Sequence, residues 1–594
     1  MDEAFSIEEL RAPFQDVVSF AFETEKIYDN EQPLYINADD PHQFLSYNLT
    51  RRYVRQMVAG LKAIGLRDGD TILVHLFNNY KYAPLFLAIV GAGGVFCATN
   101  PSLRSEMTNI VHLAQPRFII TTSDLLASLQ NWIPNIELDR IILFDSQQPG
   151  ELRGRATRAE IGSLKPICSL LCHGERDWKR IRDEEQAKKT PASYFLTSGT
   201  TGCPKLALLS HYSMVAHFSQ IHQEVPYDVV RLACLPLFHI FGSAWALALT
   251  IRHGEPLYVM PKFDMGKYLE YVSEYNITES FLAPPVVARI KQLDSSLTRS
   301  RLASLRFVGV GGAPITAGHM HEFKSMLHDD ATLSGVYGAT ELGTACMFRY
   351  GENDESGAVG RPLPGVKVDI RRVVPDDGCP RTLVERPIAE GEVVVSAASH
   401  MMGYKNSAES PHTDVEWYRT GDLGYMRDGK LYISGRAKEI MKVNGFQVSP
   451  TEIEATLLRH PDISDCAVTK VVRDRAEMPR AYVVRRMRTV SAAEVIEFSR
   501  RQLVSYKALT GGVVFIAKIP RLPSGKIQRH KLGEMPLESD LDRGVLGAWH
   551  PWVSIMNTFE RFLDQALKTS ASRWMAKLFD HGSNVRKKAY KATA

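Results

Sequence analysis

The sequence predicts an α/β protein in two units, a large multi-layer N-terminal α/β domain and a small α+β C-terminal domain. Three observations carry that expectation. Short β-rich runs alternate with helical patterns over most of the chain, and the texture changes after about residue 436. At roughly 100 to 200 residues per domain, 594 residues are too many for one folded unit. Hydrophobic residues make up 44% and charged residues 23%, enough apolar material for large cores and too much for global disorder.

The β-rich runs are Thr71 to Phe77, Phe118 to Thr122, Arg140 to Asp145, Arg231 to Pro236, Glu255 to Pro261, Glu279 to Pro285 and Arg306 to Gly312. Strands spaced this way, with helices between them, predict parallel layers. The polar stretch Gln147 to Lys189, charge-rich from Gly174, is expected as a surface excursion. Further on, Ser449, Pro450 and Glu452 predict a capping box with Pro at the first helical position, opening a helix whose apolar side includes Ile453, Leu457 and Leu458. Strand-like runs at Cys466 to Val472, Tyr482 to Met487 and Gly512 to Ile519 complete a small domain, joined through Gly435-Arg436-Ala437-Lys438. The expected division is 1–435, 436–535 and a 536–594 tail.

In that tail Phe559, Phe562, Leu563, Leu567, Trp574, Leu578 and Phe579 recur at near-helical spacing, ahead of Arg586, Lys587, Lys588 and Lys591. Weak contact with an anionic membrane surface is one use for such a segment, and a helix packed on its own protein is another. The apolar stretches Leu232 to Ile251 and Pro84 to Thr99 are interrupted by Pro, His or Gly, so both are expected as buried core and no membrane-spanning helix is predicted. Lys and Arg number 71 against 67 Asp and Glu, a net charge of +4, too balanced for a protein that binds nucleic acid by neutralising its backbone. Residues Met1 to Leu10 carry four acids and no leader pattern, and eight scattered cysteines read as reduced thiols, so a cytoplasmic protein is expected. Cys168, Cys172 and His173 lack the second ligand pair that a zinc site needs.

The chemistry is concentrated in Tyr194-Phe-Leu-Thr-Ser-Gly-Thr-Thr-Gly-Cys-Pro-Lys205. An apolar strand runs into Thr197, Ser198, Gly199, Thr200, Thr201 and Gly202. Small residues let the backbone turn and expose N–H groups, hydroxyls add donors, and Lys205 adds charge; together these cradle phosphates. The loop is not the Walker type, which needs Gly before its Lys and Ser or Thr after it, whereas Pro204 and Leu206 flank Lys205.

This run resembles the signature loop of the adenylate-forming (AMP-binding) superfamily of acyl-CoA synthetases, adenylation domains and luciferases. The resemblance recurs in order along the chain. Pro236-Leu-Phe-His-Ile240 is similar to the pocket motif of coumarate-CoA ligases, and Gly311-Gly-Ala-Pro314 to their adenine-side loop. Tyr337-Gly-Ala-Thr-Glu341 and Tyr418-Arg-Thr-Gly-Asp422 match two further motifs. Gly435-Arg436-x-Lys438 through Lys442 and Gly445-Phe-Gln447 resemble the hinge and the start of the mobile domain, and Pro523-Ser-Gly-Lys526 the closing catalytic-lysine motif.

The resemblance implies an ATP-dependent acid-CoA ligase that makes an acyl-adenylate and then a thioester, using ATP, Mg²⁺ and coenzyme A on a small carboxylic acid. It also implies a fold with a small β-barrel-like subdomain. Lys526 is implied as the group that bridges the carboxylate and the α-phosphate, and Glu341 with Thr200 as the magnesium side. Thr200 and Thr201 would hold the β- and γ-phosphates. Asp422 and Arg436 would take the ribose, and Tyr337, Gly312, Ala313, Gly338 and Thr340 would surround the nucleotide. His239, Phe241, Gly311, Val336 and Gly338 would line the acyl pocket. Lys438 is the implied pivot, and Lys442, Gly445 and Gln447 the thioester-forming face. Two departures stand out: Val336 replaces the Gly that usually precedes the Tyr of Tyr-Gly-x-Thr-Glu, which narrows or redirects the acyl pocket, and Asn444-Gly445 replaces Lys-Gly.

The segment Leu232 to Ile251 contains no Asp or Glu to pair with a substrate ammonium, which argues against an amino acid and leaves an aryl, arylpropenoic or medium-chain fatty acid. Alternatives are a ligase that loads a carrier protein instead of CoA, and a catalytically silent nucleotide-binding homologue. The chain ends in Lys591-Ala-Thr-Ala594, not a Ser-Lys-Leu type address.

Overall fold

The computed structural model describes residues 10, 12–103, 106–133, 137–144, 164–198, 204–293, 295–315, 317–372, 390–405, 417–443, 446–473, 476–486, 490–521 and 525–535. The amphipathic tail, 536–594, lies outside them.

Each β-rich run forms a strand, trimmed at its ends where Gly, Pro or a charged residue intervenes: Thr71–His75, Phe118–Thr121, Ile141–Leu143, Arg231–Ala233, Leu257–Val259, Glu279–Leu282 and Phe307–Gly311. They fall into two large sheets. In the eight-stranded sheet, Thr71–His75 is central and pairs in parallel with Val95–Ala98 and Phe118–Thr121, and Val95–Ala98 pairs in parallel with Pro191–Ser198. In the nine-stranded sheet, Arg231–Ala233, Glu279–Leu282, Phe307–Gly311 and Thr332–Ala339 run parallel in that spatial order. Strands buried on both faces read as continuous apolar runs, which is why periodicity marked them so clearly.

One core cluster draws on both sheets and on the helices Val17–Phe22, Tyr47–Ala63, Tyr82–Gly91 and His211–Ile221. All of Tyr82–Gly91 is buried, and Leu247, Leu249 and Ile251 are fully inaccessible, so both apolar stretches serve as core. No described helix is long and apolar enough to cross a membrane. A four-stranded antiparallel sheet, Val366–Arg371, Gly391–Ala397, Tyr418–Arg427 and Lys430–Arg436, forms the expected β subdomain and joins the nine-stranded sheet's edge through a bridge between Gly360 and Leu431.

The small C-terminal domain has its own core. Ile463–Arg473 pairs antiparallel with Ala476–Arg485, Val513–Phe515 adds a parallel strand, and helices Pro450–Leu457 and Ala492–Gln502 accompany them. Ile453 and Leu457 are buried in that core beside Val468 and Val483, and Leu458 packs against it.

One expectation is corrected. Ser449 and Glu452 do not form a capping box: the Ser449 hydroxyl donates to the Ser434 carbonyl at 2.7 Å, and Glu452 pairs with Lys507. Pro450 does open the helix, and the true capping box is Ser491 with Glu494. The polar stretch runs over the surface as expected where it is described: 172–177, 179–180, 182–186 and 188–189 are exposed, and 145–163 lie outside the described residues. Two side chains pin it to the core, Trp178 at 4% exposed and Ile181 at 1%. The Trp178 indole donates to Ser19 Oγ at 3.0 Å and its ring stacks on Phe22. Burying two large apolar side chains anchors a stretch that is polar on average.

Three buried histidines and one half-buried one give the fold a pH dependence. Burial lowers His75, His217 and His400 to about 4 and His211 to about 3, from an ordinary 6.5. The unfolded chain therefore binds these protons first, so the stability is complete above pH 6.5 and is lost as pH falls toward 4. Each contributes up to about 1.4 kcal/mol per pH unit. Thermal melts between pH 7.5 and 4 should show a falling melting temperature below 6.5; a flat profile would contradict neutral burial.

Candidate active site

Thr197 and Ser198 end one strand, and Pro204 and Lys205 begin its antiparallel neighbour, with Thr197 opposite Lys205. Gly199, Thr200, Thr201 and Gly202 lie outside the described residues. The Lys205 ammonium stands 4.8 Å over the Tyr404 ring. Glu341, 8% exposed, follows the strand Thr332–Ala339 and one of its oxygens, Oε1, accepts two hydrogen bonds. Thr197 Oγ1 and Tyr404 OH each donate to it at 2.8 Å. Tyr404 was not marked by any motif; it reaches the site because Gly403–Tyr404 pairs as an edge strand with Leu208 and Ala207.

Tyr337 and Gly338 straddle a register shift in the pairing with Gly343–Met347. A side chain on Gly338 would stand 2.2 Å from the Gly343 carbonyl, so only glycine fits. Gly312 and Ala313 follow the neighbouring strand, whose Gly311 is in register with Val336. The Tyr337 hydroxyl donates to Asp422 Oδ2 at 2.8 Å, and Arg436 Nε lies 2.9 Å from the other Asp422 oxygen. Burial raises the Asp422 carboxyl above its usual range, with Arg436 and Tyr337 opposing. Thr340 is buried beside Glu341 in sequence.

Lys526 comes from the small domain and meets these groups. Its ammonium is within electrostatic reach of Arg436, Glu341, Asp422 and Glu439, and burial, reinforced by Arg436, lowers its pKa from the ordinary 10.5. The loop that carries it is docked on the large domain: a Cβ on Gly525, which has φ +87°, would lie 3.0 Å from Pro285 Cδ. Arg521 holds the loop from its other side, donating to the Gly525 carbonyl at 2.9 Å while pairing with Asp465 at 2.7 Å.

His239 caps the short helix Ile240–Ser243 and its Nδ1 accepts from the Phe241 N–H at 3.3 Å. Burial, then Lys526, lowers it to about 4, so at neutral pH the ring is uncharged with its proton on Nε2, available to donate. It also lies within electrostatic reach of the lysine. Asn78, which the sequence did not mark, braces this turn, donating to the Leu235 carbonyl at 2.9 Å and accepting from the Leu237 N–H at 2.8 Å.

Phe241, two residues after His239, belongs to an aromatic cluster. Trp245 and Phe281 stack with centroids 3.6 Å apart, and Phe241 meets both edge-on at 5.9 and 6.3 Å. A Cβ on Gly309 would lie 2.6 Å from Phe281 and 3.1 Å from Val336 Cγ2, and one on Gly311 would lie 3.3 Å from Phe241. Val336 thus packs beside the two glycines of the neighbouring strand. Phe281 and Trp245 were legible only as core residues.

Lys438 sits in the turn Ala437–Glu439, exposed. Lys442 is exposed on the strand Met441–Val443, its backbone paired with Gln447; Gly445 lies outside the described residues. The site thus collects Thr197, His239, Tyr337, Glu341, Asp422, Arg436 and Lys526, and leaves Lys442 on the surface. Among the described residues no group of three or more His, Cys, Asp or Glu could hold a metal.

A two-domain α/β enzyme that brings a lysine from its small domain to a carboxylate, an acid–arginine pair and a strand that runs into a Gly-, Ser- and Thr-rich sequence has the arrangement of the adenylate-forming class. The AMP-binding enzyme family matches residues 26–405, and its C-terminal domain matches residues 452–526. The chain is 36% identical over 579 residues to the nicotinic acid-CoA ligase pyr1 of Aspergillus fumigatus, covering 90% of this chain and 99% of that one. It is 39% identical over 543 residues to the nicotinic acid-CoA ligase olcI of Penicillium canescens, covering 88% and 97%. The solved anthranilate CoA ligase AuaEII with anthranoyl-AMP shares the fold, with a TM-score of 0.74 at 21% identity over 90% and 98% of the two chains. The chain belongs to the AMP-binding enzyme family, and it is an AMP-forming acid-CoA ligase that uses ATP and CoA.

Proposed function

We propose that this ligase activates an aromatic carboxylic acid and that its C-terminal domain acts as a lid serving each half-reaction in turn. The observation that carries the substrate class is the aromatic cluster of Phe241, Trp245 and Phe281 that begins two residues after His239. Stacked and edge-on rings favour a flat aryl group over a flexible chain, and Val336 packs beside Gly309 and Gly311. Relatives named for nicotinic acid support the same class.

In the first step a carboxylate oxygen attacks the α-phosphorus of ATP, the bond to pyrophosphate breaks, and an acyl-adenylate remains. Two anions must meet, so the protein's task is positioning and charge neutralisation. Lys526 supplies the positive charge where the carboxylate and α-phosphate oxygens come together. Asp422 accepts from the ribose hydroxyls, with Arg436 donating beside it, and Tyr337 flanks adenine. His239 donates from Nε2 to the acyl carboxylate.

Glu341 offers one carboxylate with the Thr197 hydroxyl beside it, a donor set that suits Mg²⁺, which takes few protein ligands and completes its shell with phosphates and water. Glu341 and, by resemblance, Thr200 would hold the ion, which would neutralise phosphate charge. In the second step the CoA thiol attacks the acyl carbonyl and AMP leaves. Lys442 and Gln447, on a hairpin away from the site, would be carried in by rotation about Lys438.

A pyrophosphate-release screen over benzoic, nicotinic, anthranilic and phenylacetic acids and C6 to C10 fatty acids, with and without CoA, tests this reading. The expected result is preference for an aryl acid and AMP release that requires CoA. Faster turnover of a fatty acid than of every aryl acid would contradict the substrate class. Adenylate that CoA does not discharge would point to a carrier protein as acceptor.

A further inference from the structure

The hinge is bounded by two ion pairs, one on each domain. On the large domain Arg436 ends the strand Lys430–Arg436, in register with Asp422 and 2.9 Å from its carboxylate. On the small domain Arg529 Nε donates to Glu439 at 2.9 Å. The same guanidinium pairs with Glu454 of the helix Pro450–Leu457 and donates to the Val468 carbonyl of the strand Ile463–Arg473 at 3.0 Å. Glu454 in turn accepts from the Val468 N–H at 2.6 Å. One arginine, its side chain only 16% exposed, therefore binds the chain just past the hinge to a helix and a strand of the small domain. A planar fork with several donors is suited to holding three elements in fixed relation, which a lysine ammonium is not. Only Ala437 and Lys438 span the interval between the two anchors.

We propose that Arg529, acting through Glu439, is a positioning residue that confines the pivot to Ala437–Lys438, so that the chain from Glu439 onward turns as one body with the lid. The inference rests on the two-orientation reading above. Its mechanical content is independent of the substrate: with Glu439 unclamped, the pivot spreads along the chain and both faces of the lid arrive less accurately.

Glu439→Gln tests this with little risk to folding, because Arg529 keeps Glu454 and the Val468 carbonyl. Glu452→Gln, which breaks a lid ion pair away from the hinge, is the control. Limited trypsin digestion with mass spectrometry reads cleavage after Arg436 and Lys438, without reference to activity. Adenylation and thioester formation from supplied acyl-adenylate are then measured separately. For Glu439→Gln the expected result is faster cleavage at those two bonds, both half-reactions slowed by about tenfold, and an unchanged melting temperature. Arg529→Lys should reproduce the cleavage and rate changes, with a lower melting temperature because it also weakens the contacts to Glu454 and the Val468 carbonyl. Unchanged cleavage, unchanged rates, a loss confined to one half-reaction, or the same changes in Glu452→Gln would overturn the proposal. A wild-type enzyme lacking the two separable half-reactions would instead overturn the functional reading, leaving the cleavage result to judge the clamp.

Discussion

Lys526→Ala is expected to slow acyl-adenylate formation by on the order of 10² to 10³, the scale of losing one preorganised stabilising group. The lid delivers this ammonium to the neighbourhood of Glu341, Asp422 and Arg436, and the docked Gly525 turn fixes where it arrives. Alanine leaves the turn intact, since Arg521 holds the Gly525 backbone and not the lysine side chain. Pyrophosphate release under saturating ATP and acid reads the loss. The wild-type profile carries a matching signature. Burial, then Arg436, holds the Lys526 pKa below 10.5, and the charged form is the working one. The value of kcat/KM for adenylation should therefore fall on the alkaline side before an exposed lysine would titrate. A variant that adenylates at the wild-type rate would remove Lys526 from the chemistry.

Glu341→Gln is expected to cost about 10²-fold in the same half-reaction and to raise the Mg²⁺ concentration needed for half-maximal rate. Glutamine keeps a carbonyl oxygen for the bonds from Thr197 and Tyr404 at 2.8 Å, so the local packing survives while the negative charge is lost. A fall in rate that saturating Mg²⁺ repairs fits a ligand role. Unchanged Mg²⁺ dependence would reduce Glu341 to a brace for Thr197 and Tyr404.

The parallel core was legible because its strands are buried on both faces, so each reads as an apolar run bounded by Gly, Pro or charge; Thr71–His75 and Phe307–Gly311 needed no tertiary information. Side-chain partners chosen across long sequence distances were not legible. Ser449 has the spacing of a cap, yet its hydroxyl finds the Ser434 carbonyl of the strand Lys430–Arg436. Trp178 lies in a charged stretch whose average hides one large buried ring. Tyr404 and Asn78 enter the site through sheet pairing and a backbone brace, which leave no local pattern. The motif residues were found through order and resemblance, and the structure supplied what motifs lack: the tautomer of His239, the shared oxygen of Glu341 and the clamp at Glu439.

Whether the lid lysine belongs to the first chemical step alone is decided by giving the Lys526→Ala protein a purified aryl-adenylate together with CoA and following acyl-CoA and AMP. Thioester formation close to the wild-type rate is the predicted result, because the other face of the lid does that work. A loss as deep as the one in adenylation would mean that Lys526 holds the fold or serves both steps, and the division of labour between the two faces would be wrong.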